Sequence, residues 1–110
     1  MLAEIDIADM EEHAAAACAL LKSMANERRL LILCHLADGA RTVSELTDLI
    51  GLGQSALSQH LAIMRRENLV STTRMGQSIR YSLSSPEVEA VLKTVYDLYC
   101  APAKARAAAS

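Results

Sequence analysis

The sequence predicts a mainly α-helical fold that contains one two-stranded β hairpin. The first observation is composition, because 19 of the 110 residues are Ala while Phe and Trp are absent, and Ala and Leu favour helix. The second is the helical spacing of apolar residues along most of the chain. The third is a change to alternating apolar and polar residues between positions 69 and 83, which is typical of paired strands. The length predicts one domain, and the scarcity of aromatic residues argues against a sandwich or barrel.

The N-terminal third predicts two helices behind an acidic lead-in. Residues 1–8 are expected to be flexible, and an Ala-rich first helix is expected over residues 9–24. Asn26 is a favourable N-cap for a second helix over residues 27–37. The stripe of this helix that is expected to face the core consists of Leu30, Leu33, Cys34 and Ala37, at positions i, i+3, i+4 and i+7.

Residues 42–68 predict two short helices joined by a tight turn. Thr42 and Glu45 have the spacing of a capping box, which would begin the third helix. Gly-Leu-Gly at positions 51–53 predicts the turn, and a fourth helix is expected over residues 54–68. The apolar face of this fourth helix is formed by Leu57, Leu61 and Met64.

The next segment predicts the β hairpin. Apolar and polar residues roughly alternate over residues 69–75 and 78–83, and Gly76 and Gln77 lie between them, which is the length of a two-residue hairpin turn. A helix-turn-helix followed by such a hairpin is the arrangement of a winged helix-turn-helix domain. We expect that domain to span residues 9–100.

A last helix is predicted to begin at a second capping box. Ser84 and Glu87 have the required spacing, and Pro86 suits a first helical turn. The apolar stripe of this helix extends to Cys100. Residues 101–110 are expected to form a disordered tail, because they contain nothing large to bury.

Charge is unevenly distributed along the chain. The formal net charge is −2, but residues 54–83 have a net charge of +3 while residues 1–24 have −4. The basic segment covers the fourth helix and the hairpin. A local concentration of Arg on these two elements is the electrostatic footprint of a nucleic-acid-binding protein, which the total charge conceals.

The fourth helix and the hairpin are therefore the candidate surface for double-stranded DNA. The second helix of a helix-turn-helix enters the major groove, where Gln can pair with adenine and Ser can bond to bases or phosphates. Arg side chains at the helix end and on the hairpin suit phosphates. Because a polar helix face is often only solvated, an interaction module that binds no DNA stays open. The candidate DNA-binding residues are Gln54, Ser55, Ser58, Gln59, His60, Arg65, Arg66, Arg74, Gln77 and Arg80.

The two ends of the chain contain more apolar surface than one small domain covers. Pairing the first and last helices about a two-fold axis would bury both stripes, and it would place two DNA-contacting helices one DNA turn, about 34–36 Å, apart. We therefore expect a homodimer. The candidate interface residues are Leu20, Leu21, Met24, Val91, Val95 and Leu98.

Three segments resemble ArsR-type bacterial transcriptional regulators. They are residues 25–36 (Ala-Asn-Glu-Arg-Arg-Leu-Leu-Ile-Leu-Cys-His-Leu), residues 54–61 (Gln-Ser-Ala-Leu-Ser-Gln-His-Leu) and residues 83–100. The resemblance covers residues 9–100 and is most evident to the sulfide- and persulfide-responsive branch and to related virulence regulators. It implies a homodimer that binds palindromic operator DNA and represses transcription. Gly53 departs from the Ser that usually caps the fourth helix in these regulators, and Gly is also an acceptable cap.

The chain contains three cysteines, Cys18, Cys34 and Cys100, an odd count at wide spacing that does not predict a disulfide framework. On their own they are interpreted as small buried apolar residues. The resemblance implies instead that Cys34 and Cys100 form a sensing pair, which sulfur from a persulfide or polysulfide bridges, and that Cys18 serves packing. Cys34 is the expected first nucleophile, because a helix C-terminus at Cys100 would disfavour a thiolate there.

Two alternatives keep this fold and change the regulation. One is an antirepressor that displaces another DNA-bound protein, as in the related virulence regulators. The other is a repressor that responds to oxidation through a simple disulfide between the same two cysteines.

No metal ion, no other cofactor and no catalytic activity are expected. The predicted third helix lacks Cys and His, the last helix lacks His, and His13 and His35 are isolated. No nucleophile–base set or phosphate loop is evident. The acidic N-terminus and the absence of a long apolar run predict neither a signal peptide nor a membrane partner, and hence a cytoplasmic protein.

Overall fold

The computed structural model describes residues 4–109 and confirms the predicted winged helix-turn-helix. A π-helical turn, Tyr96–Cys100, joins the last two helices. The elements in chain order are α1 (Ile7–Met24), α2 (Glu27–Asp38), α3 (Val43–Ile50), α4 (Gln54–Arg66), β1 (Val70–Met75), β2 (Ser78–Leu83), α5 (Pro86–Val95) and α6 (Ala101–Ala109).

Helix α1 begins earlier than the sequence predicts. The Asp6 carboxylate accepts a hydrogen bond from the backbone N–H of Ala8 at 2.9 Å, so that Asp6 is the N-cap and the helix starts at Ile7. The flexible segment expected over residues 1–8 is therefore helical from Ile7. Residues 1–3 of that segment lie outside the described residues.

The predicted caps of α2 and α3 are confirmed. The Asn26 side chain accepts a hydrogen bond from the Arg29 N–H at 3.1 Å. In α3, the Glu45 N–H donates to the Thr42 hydroxyl oxygen at 3.1 Å and the Thr42 N–H donates to the Glu45 carboxylate at 2.8 Å, which completes the capping box. Gly51 ends α3 in the left-handed region with φ of 77°, where glycine is favoured.

The caps around the wing differ from the prediction by one or two residues. Helix α4 ends at Arg66 rather than residue 68, because Asn68 turns the chain with φ of 64°. The N-cap of α5 is Ser85, whose hydroxyl accepts from the Val88 N–H at 3.2 Å. Ser84, the predicted cap, instead donates from its hydroxyl to the backbone oxygen of Asn68 at 3.1 Å.

The wing is an antiparallel hairpin in the predicted register. Val70 pairs with Leu83 at its base and Met75 pairs with Ser78 at its tip. Gly76 begins the two-residue turn with φ of 64°, a conformation that glycine adopts without strain. The hairpin is held to the domain on its other edge, because β2 also forms a bridge through Tyr81 to Arg41, with backbone hydrogen bonds of 2.7 and 2.9 Å.

One apolar core lies between α2, α3, α4, the base of the wing and α5. Helix α2 contributes to it through only part of the stripe that the sequence predicts. Ile32, Leu33 and Leu36 are buried, whereas Cys34 and Ala37 are exposed. Leu33 is confirmed and Leu30 packs against the core, but Cys34 and Ala37 were assigned to it wrongly, because Ile32 and Leu36 offer larger side chains. The buried core residues are Met24, Ile32, Leu33, Leu36, Leu46, Leu57, Leu61, Met64, Leu69, Val70, Val88 and Leu92.

The C-terminal segment is helical, and the expectation of a disordered tail is wrong for Ala101–Ala109; Ser110 lies outside the described residues. An Ala-rich segment has the highest helix propensity. Pro102 has no N–H and would collide with the carbonyl of Leu98 in a regular α-helix. The π-helical turn widens the helix at this point, with the Ala101 N–H bonded to the oxygen of Tyr96, and helix continues beyond it.

Candidate nucleic-acid interface and cysteine pair

Helices α3 and α4 place the predicted DNA-contacting side chains on one exposed face. Leu57, Leu61 and Met64 of α4 are fully buried against the core. Because these residues recur at i, i+4 and i+7, the opposite face of α4 is left in solvent. Gln54, Ser55, Ser58 and Gln59, from the first two turns of α4, are all exposed.

His60 lies on the flank of this face and is bound by another helix. Its Nδ1 accepts a hydrogen bond from Nε of Arg29 in α2 at 3.2 Å. The pKa of His60 is lowered, first by partial burial and then by the positive charges of Arg29 and Arg28. The imidazole is therefore neutral at neutral pH. His60 therefore differs from the other candidate DNA-binding residues of α4, which are exposed.

The basic residues fall into two groups. Arg65 and Arg66 at the end of α4 are exposed, and so are Arg74 and Gln77 at the tip of the wing. Arg74 also donates from Nε to the backbone oxygen of Gly76 at 3.3 Å. The three Arg side chains therefore place exposed positive charge at the end of α4 and on the wing, and Gln77 adds an uncharged polar group at the wing tip.

Arg80 is the second group, because its guanidinium is bonded to other residues of the chain. Its Nη1 donates to the Glu45 carboxylate at 3.3 Å and to the backbone oxygen of Ala40 at 3.4 Å. Two hydrogen bonds from Thr42 are the main reason that the pKa of Glu45 is lowered, and the charges of Arg80 and Arg41 add to the effect. Arg80 therefore joins the wing to the N-terminus of α3.

The structure also brings together polar residues that the sequence does not connect. Ser23, which is buried at the end of α1, donates from its hydroxyl to the Glu67 carboxylate just after α4. Arg29 Nη1 donates to the backbone oxygen of Ser23 at 3.5 Å, in addition to its bond with His60. No sequence signal identified this set, because its members are far apart in the chain and form no motif.

All three cysteines are free and exposed. Cys34 lies on α2 and Cys100 is the last residue of the π-helical turn. The pKa of Cys34 is raised, first by partial desolvation of the thiol and then by the negative charge of a Cys100 thiolate. The two sulfurs are therefore within range of each other's charge in one protomer.

The order of reactivity expected from the sequence rests on a premise that is wrong. Cys100 is not at a helix C-terminus, because α6 follows it directly. The dipole argument against a Cys100 thiolate therefore fails. The raised pKa of Cys34 disfavours Cys34 as the first thiolate.

The predicted dimer residues divide by exposure. Met24 is only 5% exposed and belongs to the core of its own protomer, so its assignment to the dimer surface is wrong. Leu20 and Val91 are partly buried against the same core, and Val95 is half-buried. Leu21 on α1 is 53% exposed and Leu98 in the π-helical turn is 63% exposed.

Residues 4–109 contain neither a metal-binding cluster nor a membrane-spanning helix. Within that part of the chain, no three His, Cys, Asp or Glu side chains are grouped in a way that would hold a metal ion. None of its helices has the length and apolar character needed to cross a membrane.

Comparison with known proteins finds a family match and close relatives. The family described as "Bacterial regulatory protein, arsR family" matches residues 26–72. The "Transcriptional activator HlyU" of Vibrio cholerae is 50% identical over 98 residues, covering 89% of this chain and 91% of that protein. A "Biofilm growth-associated repressor" of Xylella fastidiosa is 35% identical over 96 residues, covering 87% of this chain and 84% of the relative.

Solved structures agree with these sequence matches. The repressor BigR from Xylella fastidiosa has a TM-score of 0.83 at 34% identity, with 88% of this chain and 99% of that chain covered. Reduced HlyU from Vibrio cholerae has a TM-score of 0.78 at 52% identity, with 84% of this chain and 97% of that chain covered.

Proposed function

Since the chain belongs to the arsR family of bacterial regulatory proteins and is a DNA-binding transcriptional regulator, we propose that it represses transcription until reactive sulfur bridges Cys34 and Cys100. In this proposal the reduced homodimer occupies a palindromic operator. The inducer is a persulfide or polysulfide, and the bridged dimer leaves the DNA.

The exposed face of α4 would lie in the major groove. Gln54, Ser55, Ser58 and Gln59 would face base edges, because they occupy the N-terminal half of the helix and are all exposed. Arg65, Arg66 and Arg74 would bind phosphates. Gln77 at the wing tip would meet the adjacent backbone or minor groove. Arg80 would act indirectly, by fixing the wing against α3.

A second copy of the chain would complete this surface. The radius of gyration is 16.4 Å, against about 13 Å for a compact domain of this length, because α1 and the C-terminal helical segment project from the core. Ile7, Met10 and Leu21 of α1 and Leu98 and Tyr99 of the π-helical turn are large, apolar and exposed. Pairing them across a two-fold axis would bury these side chains and would place two α4 helices on the DNA.

The observation that supports the sensor is that Cys100 lies near enough to Cys34 for the charge of its thiolate to raise the pKa of Cys34. One cysteine lies on α2, next to the core, and the other follows the proposed dimer surface on the π-helical turn. Both are exposed and free, so a small sulfur donor has access to either thiol. A covalent link between them would tie the DNA-binding unit to the dimer helix.

In the proposed chemistry, Cys100 is the first nucleophile. Its thiolate attacks the terminal sulfur of a persulfide RSSH, forms Cys100–SSH and releases the thiol RSH. A second transfer converts Cys34 in the same way. The persulfide anion of one residue then attacks the sulfur attached to Cβ of the other and releases hydrosulfide, which leaves a trisulfide. Two sulfane sulfurs are thus consumed, one in the bridge and one as hydrogen sulfide.

Mass spectrometry tests the linkage. Persulfide treatment is expected to yield a peptide pair joining Cys34 and Cys100, heavier than the separate reduced peptides by one sulfur less two hydrogens. A pair lighter by two hydrogens with no added sulfur would support the simple-disulfide alternative instead. The absence of any joined pair would reject both.

DNA release is tested with the same reagent. The reduced protein first selects its preferred duplex from a random duplex pool, and persulfide is then added at one salt concentration, because affinity depends strongly on salt. The wild type is expected to release the duplex, and Cys34→Ser/Cys100→Ser is expected to retain it. Cys18→Ser is the matched control and should behave as wild type. Release by the double variant would reject the switch.

The relative named as an activator supports one second candidate, an antirepressor. In a transcription assay with the selected duplex placed over a promoter, a repressor lowers the output by itself. An antirepressor leaves that output unchanged and raises it only when a DNA-bound silencer is present.

A further inference from the structure

We propose that Arg29 is a positioning residue for DNA binding, which holds α4 at a fixed angle to α1 by bridging the end of α1 and His60. It would act through His60 and without touching DNA. The inference rests on the proposed docking of α4 in the major groove and is independent of the sulfur chemistry.

The geometry places Arg29 at the meeting point of three helices. The residue belongs to the first turn of α2. Its Nη1 donates to the Ser23 backbone oxygen at 3.5 Å, at the C-terminal end of α1, and its Nε donates to His60 Nδ1 at 3.2 Å, in the middle of α4. One half-buried guanidinium therefore holds both helices.

A second contact joins α1 to the end of α4, so that α4 is attached to α1 at two points. The Ser23 hydroxyl donates to the Glu67 carboxylate. His60 and Glu67 are seven residues apart, so they lie two helical turns apart along the same side of the helical segment. Two attachments along one side fix the angle between α4 and α1 more firmly than one attachment would, in addition to the packing of Leu57, Leu61 and Met64 in the core.

The protonation state of His60 suits this role. An imidazole that accepts at Nδ1 must bear its hydrogen on Nε2. Partial burial and the neighbouring guanidinium groups of Arg29 and Arg28 keep the ring neutral. Protonation would place a hydrogen on Nδ1 and remove the acceptor that Arg29 uses.

Two substitutions at His60 separate positioning from direct DNA contact. Asn places an amide oxygen where His has Nδ1, and Gln places its amide where His has Nε2. If His60 serves Arg29, His60→Asn should retain affinity for the selected duplex within about twofold, and His60→Gln should lose about tenfold, as expected when a bond to a charged group is lost. If His60→Gln keeps its affinity and His60→Asn loses it, His60 contacts DNA directly through Nε2. If both variants keep their affinity, the bond from Arg29 to His60 is dispensable. Either result overturns the proposal.

A double-mutant cycle settles the case in which both His60 variants lose affinity. Arg29→Gln is expected to lose about tenfold, and Arg29→Gln/His60→Gln should lose no more than Arg29→Gln alone, because that substitution already breaks the bond to His60. Additive losses would overturn the proposal. Arg28→Gln is the matched control, since it removes the same charge from the neighbouring exposed residue. If Arg28→Gln loses as much affinity, the effect of Arg29→Gln comes from the lost positive charge alone, which also overturns the proposal.

Failure of the proposed function and failure of the role of Arg29 give different results. If the wild type selects no duplex, DNA binding itself fails, whatever the variants do. If the wild type binds and the variants do not follow the expected pattern, only the role of Arg29 is rejected. Thermal unfolding of each variant, measured in parallel, shows that the folded protein is being compared.

Discussion

At the scale of single residues, the reactivity of Cys34 depends on a partner that is distant in sequence. Desolvation and the charge of a Cys100 thiolate both raise the pKa of Cys34. A raised thiol pKa leaves less thiolate at neutral pH, and the thiolate is the nucleophile. Cys34 should therefore react more slowly at neutral pH than a thiol of ordinary pKa.

This coupling predicts a change in the pH dependence of alkylation. In Cys100→Ser the pKa of Cys34 is expected to fall towards its ordinary value, because the electrostatic cause of the shift is removed while the burial remains. The iodoacetamide reaction rate of Cys34, followed by mass spectrometry against pH, should have a more acidic midpoint than in the wild type. Cys18 in the same digest is the internal control. An unchanged midpoint would mean that the two sulfurs do not interact.

At the scale of elements, α3 is held at its N-terminus by the capping box and by the wing. The lowered pKa of Glu45 means that its ionised form is favoured in the folded state. Its contribution to stability is therefore present above the ordinary glutamate value of 4.5 and is lost as the pH falls through the lowered value. Arg80 connects this carboxylate to β2, so the same charge also steadies the wing.

Glu45→Gln tests this reasoning through the pH dependence of folding. Gln retains an acceptor for the Thr42 N–H and removes the charge. The wild type should be more stable than Glu45→Gln at neutral pH in urea unfolding, and the difference should close in acid, where Glu45 is protonated. Glu89→Gln removes an acid from the first turn of α5 and is the matched control. A difference independent of pH would contradict the assigned role of the charge.

At the scale of the whole molecule, we expect a second copy of the chain to cover its exposed apolar surface. Its two projecting helical segments expose large apolar side chains at opposite ends of the sequence. Burying them in a dimer would place two α4 helices on one face of a DNA duplex. Affinity for operator DNA should therefore depend on residues that never touch DNA.

Leu21→Glu and Leu98→Glu are expected to shift the protein from dimer to monomer, because each would place a charge in an apolar contact. Analytical ultracentrifugation measures the change, and binding to the selected duplex should fall with it. Leu49→Glu is the control, since Leu49 on α3 is 49% exposed, similar to the 53% of Leu21, and lies outside the proposed interface. A monomeric wild type, or dimeric Leu21→Glu and Leu98→Glu variants, would contradict this arrangement.

The sequence by itself determined the order of elements from α1 to α5, the caps of α2 and α3, the hairpin turn and the polar face of α4. These features depend on spacing within a few residues, which local patterns contain. The same patterns do not show where neighbouring helices lie. Only the tertiary structure decided that Cys34 faces outward, that Met24 is already covered, and that Arg29 bonds to His60. It also decided that the helix continues beyond Cys100, where a π-helical turn relieves the conflict at Pro102. Each of these features depends on which face a helix packs against its neighbours, or on the backbone geometry of a turn within the folded chain.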